Sequence, residues 1–274
     1  MRTRLQIGGI WHVVLILFLV LMLYPLIYAL GNSFKSLSES YGTTLNVLPK
    51  LFTLENYQAF FNSLPVIRIT LNTFFLGAVT TIVKLVTSFL AAYAFVYFRV
   101  KYKPALYFLL ISTIFVPFTV TMIPNYLFIS RLGLIDSVWG AILPQLADAI
   151  GIFLITQSMR GIPYSLIEVA RLDRLPHRRI MLDIVLPLVR PAVTSTGIWF
   201  FITTWNEYVW PVLILKSTEQ YTLPLALQMY ISAEGGTNFT VAMAVSVVTM
   251  AIPLALYIMF QRYIIGTFAS SGIK

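Results

Sequence analysis

No cysteine occurs in the 274 residues, which excludes disulfides, thiolate nucleophiles and zinc sites built on cysteine. Charge is scarce as well: 11% of the residues are Asp, Glu, Lys or Arg, against about a quarter in an ordinary soluble domain. Histidine occurs only as His12 and His177. The motifs H-E-x-x-H and G-x-S-x-G are missing, so neither a metalloprotease nor a serine-hydrolase constellation can be assembled. The dipeptide Gly-Lys is absent too, and with it any G-x-x-x-x-G-K-[ST] phosphate loop. The chain is therefore expected to hydrolyse no ATP itself, to be no enzyme, and to bind no cofactor or metal.

Apolar sequence dominates what is present: 58% of the residues are hydrophobic and 15% aromatic, with a mean hydropathy of +0.84. A water-soluble globule of this size cannot be covered with so few polar side chains, and disorder requires the opposite composition. Segments long enough to cross a bilayer, about 20 apolar residues, occur at Ile10–Leu30, Ile69–Phe95, Ala105–Phe128, Val138–Met159, Pro191–Leu215 and Val241–Phe260. Each is a continuous apolar run rather than a short alternating one, which favours helices over a β-barrel. The fold class is thus an all-α polytopic membrane protein with six transmembrane helices, in a single membrane domain over 1–274 with its core at 69–262. The first run exceeds the about 7–15 residues of a secretory h-region and reads as an uncleaved signal anchor; cleavage near Ala29-Leu30-Gly31 is the alternative.

Basic residues set the orientation. Thirteen of them group on one side: Arg2, Arg4, Arg99, Lys101, Lys103, Arg160, Arg171, Arg174, Arg178, Arg179, Arg190, Arg262 and Lys274. Five fall on the other, Lys35, Lys50, Arg68, Arg131 and Lys216, while Lys84 lies within a run. Both termini are accordingly expected in the cytoplasm. The net charge of +9 reads as topology, not as a nucleic-acid footprint.

The stretch Gly161–Val193, with its centre at 161–190, is the most informative. Pro163 can open a short helix carrying Leu166, Ile167, Val169, Ala170 and Leu172, with Glu168, Arg171 and Asp173 interleaved. Pro176 stops it and starts a second, in which Ile180, Met181, Ile184, Val185 and Leu188 recur at helical spacing. Pro187 and Pro191 then hand the chain to the fifth run. Two short amphipathic helices joined by a bend form a knob suited to a groove on a soluble partner; pattern alone equally allows a loop lying on lipid headgroups.

This stretch resembles the cytoplasmic coupling loop of ATP-binding-cassette importer permeases, E-A-A, three residues, G, and about nine residues on, I-x-L-P. Glu168-Val169-Ala170, Asp173 and Ile184-Val185-Leu186-Pro187 match. The likeness is to the carbohydrate, maltose-type class and extends along nearly the whole chain from the second run. It takes in Asn72-Thr73, Ala91-Ala92-Tyr93-Ala94-Phe95, Met122-Ile123-Pro124-Asn125-Tyr126, Leu132-Gly133-Leu134, Ile142-Leu143-Pro144, Trp205-Asn206-Glu207-Tyr208-Val209-Trp210-Pro211, Thr222-Leu223-Pro224, Gln261-Arg262-Tyr263 and Gly272-Ile273-Lys274.

The resemblance implies an inner-membrane subunit in a bacterium or archaeon, forming half of a pathway for a sugar or oligosaccharide. Its implied partners are a second permease subunit, two ATPase subunits that use ATP and Mg, and an extracytoplasmic solute-binding protein. Docking of the ATPase would fall on Leu166, Glu168, Ala170, Asp173, Arg174, Leu175 and Arg178, with a weaker contact at the tail, Gly266–Lys274. Where the family has glycine, this chain has Arg174. Glycine in such a bend supplies a left-handed backbone, and arginine there costs about 1–2 kcal/mol if φ stays positive; the bend is either reshaped or compensated.

Intramembrane polar residues are expensive and mark function or structure. Lys84 and Asp148 fall at similar depth in the second and fourth runs, and are expected to pair. Lining of the path is the alternative, as is a Lys84 that snorkels along its own stem. Asn206 and Glu207 lie in the fifth run among Trp199, Phe200, Phe201, Trp205, Tyr208 and Trp210, a set that suits either sugar stacking or helix packing. His12 reads as interfacial and His177 as part of the docking or headgroup face. Permeases for glycerol phosphate or another polar solute compete with sugar permeases. An ion-driven secondary transporter relaying through Lys84, Asp148 and Glu207 is the rival from another class.

Overall fold

The computed structural model describes residues 2–42, 46–231 and 238–271, with side chains described over 11–42, 46–231 and 238–261. The side chains of Arg2, Arg4, Arg262 and Tyr263, and the whole of Gly272-Ile273-Lys274, lie outside the described residues. All regular structure among the described residues is helical. Single helices long and apolar enough to cross a bilayer are Trp11–Ser33, Val66–Tyr97, His177–Trp205 and Phe239–Gln261. Two further candidates are bent pairs, Lys103–Phe115 with Phe118–Arg131 and Val138–Gln145 with Ala149–Arg160, so the spans number four to six.

The chain divides into two compact units. The first comprises Met1–Val66 and Leu225–Ile252. It holds α1 (Arg2–Ser33), α2 (Leu37–Gly42) and α3 (Glu55–Ser63). A polar knot closes it. Lys35 is fully buried, its ammonium donating to Asn32 Oδ1 and to the Asn46 carbonyl. Asn56 donates to the carbonyls of Ser33 and Lys35 at 2.8 and 2.7 Å, and Thr240 donates to Asn56 Oδ1 at 2.8 Å. From sequence Lys35 counts only among the five basic residues of the less basic side; two of its three N–H groups are engaged in holding the end of α1.

The second unit comprises Ile67–Pro224 and Pro253–Lys274. Its helices are α4 (Val66–Tyr97), α5 (Lys103–Ser112), α6 (Phe118–Arg131), α7 (Val138–Ile142), α8 (Ala149–Arg160), α9 (Tyr164–Leu172), α10 (His177–Arg179), α11 (Leu186–Trp205) and α12 (Val209–Ile214). Helices α13 (Leu223–Ile231) and α14 (Phe239–Ser271) each cross the boundary between the units. Gly151 lets α8 approach closely: a Cβ there would lie 2.3 Å from Phe200 Cζ and 2.7 Å from Ser88 Oγ. Small residues at such contacts are how helices pack when water supplies no driving force between them.

Three of the apolar runs are not continuous helices. The run Ala105–Phe128 bends by 97° between Phe115 and Phe118, because Pro117 forces Val116 into an extended conformation, φ −79° and ψ 113°. Ser112 and Thr113 meanwhile donate to the carbonyls of Phe108 and Leu110, each at 2.7 Å. The run Val138–Met159 bends by 46° ahead of Ala149. The run Pro191–Leu215 stops at Trp205 and restarts at Val209.

At its other end that helix extends further than the prolines suggested. Residues His177–Trp205 form one continuous helix through a π segment at Ile180–Val185, in which Leu186 N–H reaches back to the Met181 carbonyl. The widened turn ends where Pro187 removes the next donor, and Pro191 is carried inside the helix. The second arm of the knob and the fifth apolar run are therefore joined in one continuous helix.

Candidate functional site

The knob is built on α9. Its inward residues Ile167 and Ala170 are buried, and with Ile180, Val185 and Val189 they pack on Phe89, Ala92, Tyr93 and Tyr97 of α4 and on Ile155 and Met159 of α8. Arg171 bolts it down: its guanidinium donates to the Tyr97 carbonyl at the end of α4 and to Tyr164 Oη, both at 3.0 Å. His177 adds a second bolt, with Nδ1 3.2 Å from Tyr93 Oη and its ring edge-on to Phe98 at 4.8 Å. Tyr97 Oη donates to the Met159 carbonyl at 3.3 Å. His177 is therefore an anchor of the knob to α4. None of these bolts was assigned from sequence, although Tyr93 and Tyr97, one helical turn apart at the end of an apolar run, were visible.

Arg174 has φ +55°, so the bend keeps the glycine-type conformation. Arg174 N–H donates to the Arg171 carbonyl and Leu175 N–H to the Ala170 carbonyl, both at 3.0 Å. These are the two bonds of a Schellman termination. Leu175 is half-buried against the same core as Ala170, the hydrophobic contact that accompanies the motif.

Of the docking residues expected from sequence, Leu166, Glu168, Asp173, Arg174 and Arg178 are exposed, whereas Ala170 is 3% exposed and belongs to the knob's own core. Beside them Val169 and Leu172, 57% and 81% exposed, extend an apolar face that nothing in the chain covers among the described residues.

Three helix breaks converge on a second feature, a cavity of about 220 Å³. Its walls include Lys84 of α4, Phe118 and Asn125 of α6, Gln145 ahead of α8, Glu207 and Trp210. Lys84 Nζ is 3.5 Å from Asp148 Oδ2 and 5.2 Å above the Phe200 ring. Asp148 also caps α8, its Oδ1 accepting from the N–H groups of Ile150 and Gly151 at 2.9 and 3.1 Å. Glu207 does the same for α12, Oε1 accepting from Val209 and Trp210 at 3.0 and 3.2 Å. Asn206 turns back, its amide donating to the Ile202 carbonyl at 2.9 Å, and does not line the cavity. Of the six aromatics around Glu207, only Trp210 lines it, while Phe200 and Trp205 are consumed in packing. The indole N–H of Trp210 is buried without a partner among the described residues.

Asp136 fixes the far side of α12. Its backbone N–H donates to the Ile214 carbonyl at 2.8 Å, and its carboxylate accepts from the N–H groups of Lys216 and Ser217 at 2.8 and 2.9 Å. Those two bonds, chiefly that from Ser217, hold its carboxyl below the usual carboxylate range.

Unwound backbone at membrane depth is tolerated where it is buried in protein or lines a cavity, and broken helices around a polar chamber are a recurrent transporter construction. Residues 84–266 match the model of the binding-protein-dependent transport system inner membrane component. The chain belongs to that family. It is thus an importer permease subunit, and the ion-driven relay is set aside. Among similar curated proteins are an sn-glycerol-3-phosphate transport system permease protein of Rhizobium meliloti, 29% identical over 93% of this chain and 94% of the relative. The arabinooligosaccharides transport system permease protein of Bacillus subtilis is also 29% identical, over 97% of both chains. In fold, the permease resembles a chain of a bacterial ABC transporter involved in the import of the acidic polysaccharide alginate, with a TM-score of 0.80 and 23% identity over 96% of this chain and 98% of that one.

Proposed function

We propose that this inner-membrane component forms half of the pathway of a sugar importer in a bacterial plasma membrane. Its knob receives the thrust of a cytoplasmic ATPase that uses ATP and Mg. In this reading the chain is a single permease domain over 1–274, with its core at 69–262 and the knob at 161–190. The bent pairs each count as one span, giving six, and both termini are cytoplasmic. A second permease completes the pathway, two ATPase subunits dock below, and an extracytoplasmic solute-binding protein delivers the solute.

The observation that carries this reading is the two-faced knob. One face is bolted to α4 and α8 and continuous with α11. The other presents Leu166, Val169 and Leu172 beside Glu168, Asp173, Arg174 and Arg178. Helices α4, α8 and α11 lead from the knob to Lys84, Asp148 and the break before Glu207. Along α4 the path from Tyr97 to Lys84 is about 20 Å at 1.5 Å per residue. A push on the outer face thus reaches the chamber walls through rigid elements.

The chamber's chemistry supports an uncharged saccharide. Lys84 is already neutralised by Asp148, and Glu207 adds an anion, so a phosphorylated or acidic solute meets no free cation there. Asn125, Gln145, Phe118 and Trp210 supply the amides and rings that suit hydroxyls and sugar faces. The second reading, glycerol phosphate, is favoured by the names of similar proteins.

Purification of the tagged chain from mild detergent tests the assembly. Recovery of a second permease and a P-loop ATPase is expected, with the ATPase depleted by Glu168→Ala plus Asp173→Ala. A chain that purifies alone and drives ion-coupled uptake in liposomes overturns the proposal.

A further inference from the structure

A second cavity, of about 440 Å³, lies at the knob end of the second unit. Its walls are Phe95 and Val96 near the end of α4, Lys103, Pro104 and Tyr107 of α5, and Arg160, the last residue of α8. Three helix ends meet here, so the cavity sits where spans emerge from the hydrocarbon. Its charge is of one sign: two cations and no carboxylate line it. Neither cation has a carboxylate partner among the described residues.

Each lining group is incompletely used. Lys103 Nζ donates to the carbonyls of Val96 and Phe98 at 3.2 and 2.8 Å, which leaves one of an ammonium's three N–H groups. The Arg160 guanidinium lies 5.0 Å over the Tyr107 ring and makes no side-chain hydrogen bond among the described residues. The Tyr107 hydroxyl is buried with no partner among the described residues, and such orphans call for a ligand or water. The first turn of α5 adds the positive end of its dipole; its N–H groups contribute little, since Lys103 and Leu106 donate to the Val100 and Tyr102 carbonyls and Pro104 has none. Just beyond, Leu106, Phe108 and Leu109 are 46%, 72% and 63% exposed, an apolar strip continuing outward from the polar cavity.

Two cations, a free hydroxyl and a helix N-terminus above an apolar strip are the parts needed to hold a phosphodiester with acyl chains attached. We propose that this cavity is a headgroup site for an anionic phospholipid. The phosphate sits between Lys103 and Arg160, relieving their mutual repulsion, with Tyr107 Oη donating to it and the acyl chains lying along Leu106 and Leu109. Occupancy ties the ends of α4, α5 and α8 together beside the knob.

The test is native mass spectrometry of the delipidated, assembled transporter, titrated with dioleoylphosphatidylglycerol or with dioleoylphosphatidylcholine. The anionic lipid is expected to bind at least about tenfold more tightly, a difference of about 1.4 kcal/mol. Lys103→Gln plus Arg160→Gln is expected to abolish that preference, and Lys216→Gln to leave it intact. Lys103 also satisfies carbonyls at the end of α4, so Arg160→Gln alone serves if the double variant misfolds; it is expected to lower the preference severalfold. Equal binding of the two lipids, or a preference that survives both variants, overturns the site. Displacement of the lipid by millimolar inorganic phosphate also overturns it, since the cavity would then hold a soluble anion. Copurification of an acidic protein segment on these residues would assign the cavity to a protein interface instead.

Discussion

Lys84 and Asp148 form an ion pair at 3.5 Å between α4 and the start of α8, with side chains 11% and 21% exposed. Asp148 simultaneously caps α8 through two backbone N–H groups, so its charge is held from both sides while Lys84 depends on it and on the Phe200 ring. Removing one partner of such a pair leaves an uncompensated charge, which is worse than removing both. Lys84→Met is expected to destabilise the complex, by less than the roughly 3–5 kcal/mol of a fully buried pair because both side chains keep some exposure, and Lys84→Met with Asp148→Asn by less still, because asparagine keeps the cap and drops the charge. Thermal unfolding of the four members of the cycle in detergent checks this; an additive double variant would show that the two charges do not interact.

Arg171 ties the knob to the last carbonyl of α4, and its other bond, to Tyr164 Oη, stays within the knob. Arg171→Ala together with His177→Ala is therefore expected to spare the outer face and to loosen the lever. The ATPase should still copurify, while solute-stimulated ATP hydrolysis falls by about tenfold or more, equivalent to about 1.4 kcal/mol of activation free energy. Loss of the ATPase itself from the purified complex would mean that these residues belong to the docking surface.

The left-handed φ of Arg174 makes it a place where substitution by glycine helps the folded state. Relief of about 1–2 kcal/mol of steric strain is offset by about 0.4–1 kcal/mol of extra freedom in the unfolded chain. Arg174→Gly is thus expected to be neutral to mildly stabilising, and Arg174→Val clearly destabilising, by amide exchange across residues 164–176. If the glycine variant instead weakens ATPase recovery, the guanidinium is itself a contact with the partner.

Composition and the length of the apolar runs were enough to read a helical membrane protein, and the order of short motifs was enough to read the family. The Lys84–Asp148 pair was legible because both residues are costly in lipid and lie at matching depth. What was not legible depends on backbone geometry. A proline predicts that a helix is interrupted without saying by how much, so the 97° bend at Pro117 and the uninterrupted passage through Pro187 and Pro191 look alike in sequence. The capping roles of Asp148 and Glu207 were hidden for the same reason. Each sits within an apolar run, where a carboxylate suggests chemistry before it suggests a helix start. Apolar spacing likewise could not separate the buried Ile167 and Ala170 from the exposed Leu166 and Val169 of one short helix.

Asp136 supplies a pH dependence. Its carboxyl is held low by bonds from Ser217 and Lys216, so the folded-state value lies below the unfolded one. The stabilisation is then fully present above the unfolded value and is lost as pH falls through the folded one. The loop following α12 is expected to loosen on acidification below the ordinary carboxylate range. Asp136→Asn, which keeps an acceptor but not the charge, should flatten that response. Limited proteolysis at residues 215–220 as a function of pH reads it out, and identical profiles for the two proteins would count against the assignment.

Glu207 separates the two solute readings. Its Oε1 caps α12, which a glutamine oxygen can also do, so Glu207→Gln changes chamber charge with little change in shape. With Lys84 balanced by Asp148, the native chamber carries a net negative charge and the variant none. If the chamber selects uncharged saccharides by repelling anions, inhibition of the assembled importer's sugar transport by added glycerol phosphate should be weak in the native protein. It should become several-fold stronger in the variant, as expected for removal of a like charge at close range in a partly dehydrated site. A native chamber whose substrate is glycerol phosphate should behave in the opposite sense: the anion would be transported outright, and neutralising Glu207 would raise its rate without opening any new specificity. Uptake of labelled trisaccharide and labelled glycerol phosphate into proteoliposomes, each with its own binding protein supplied in excess, distinguishes the two at the level of this one side chain.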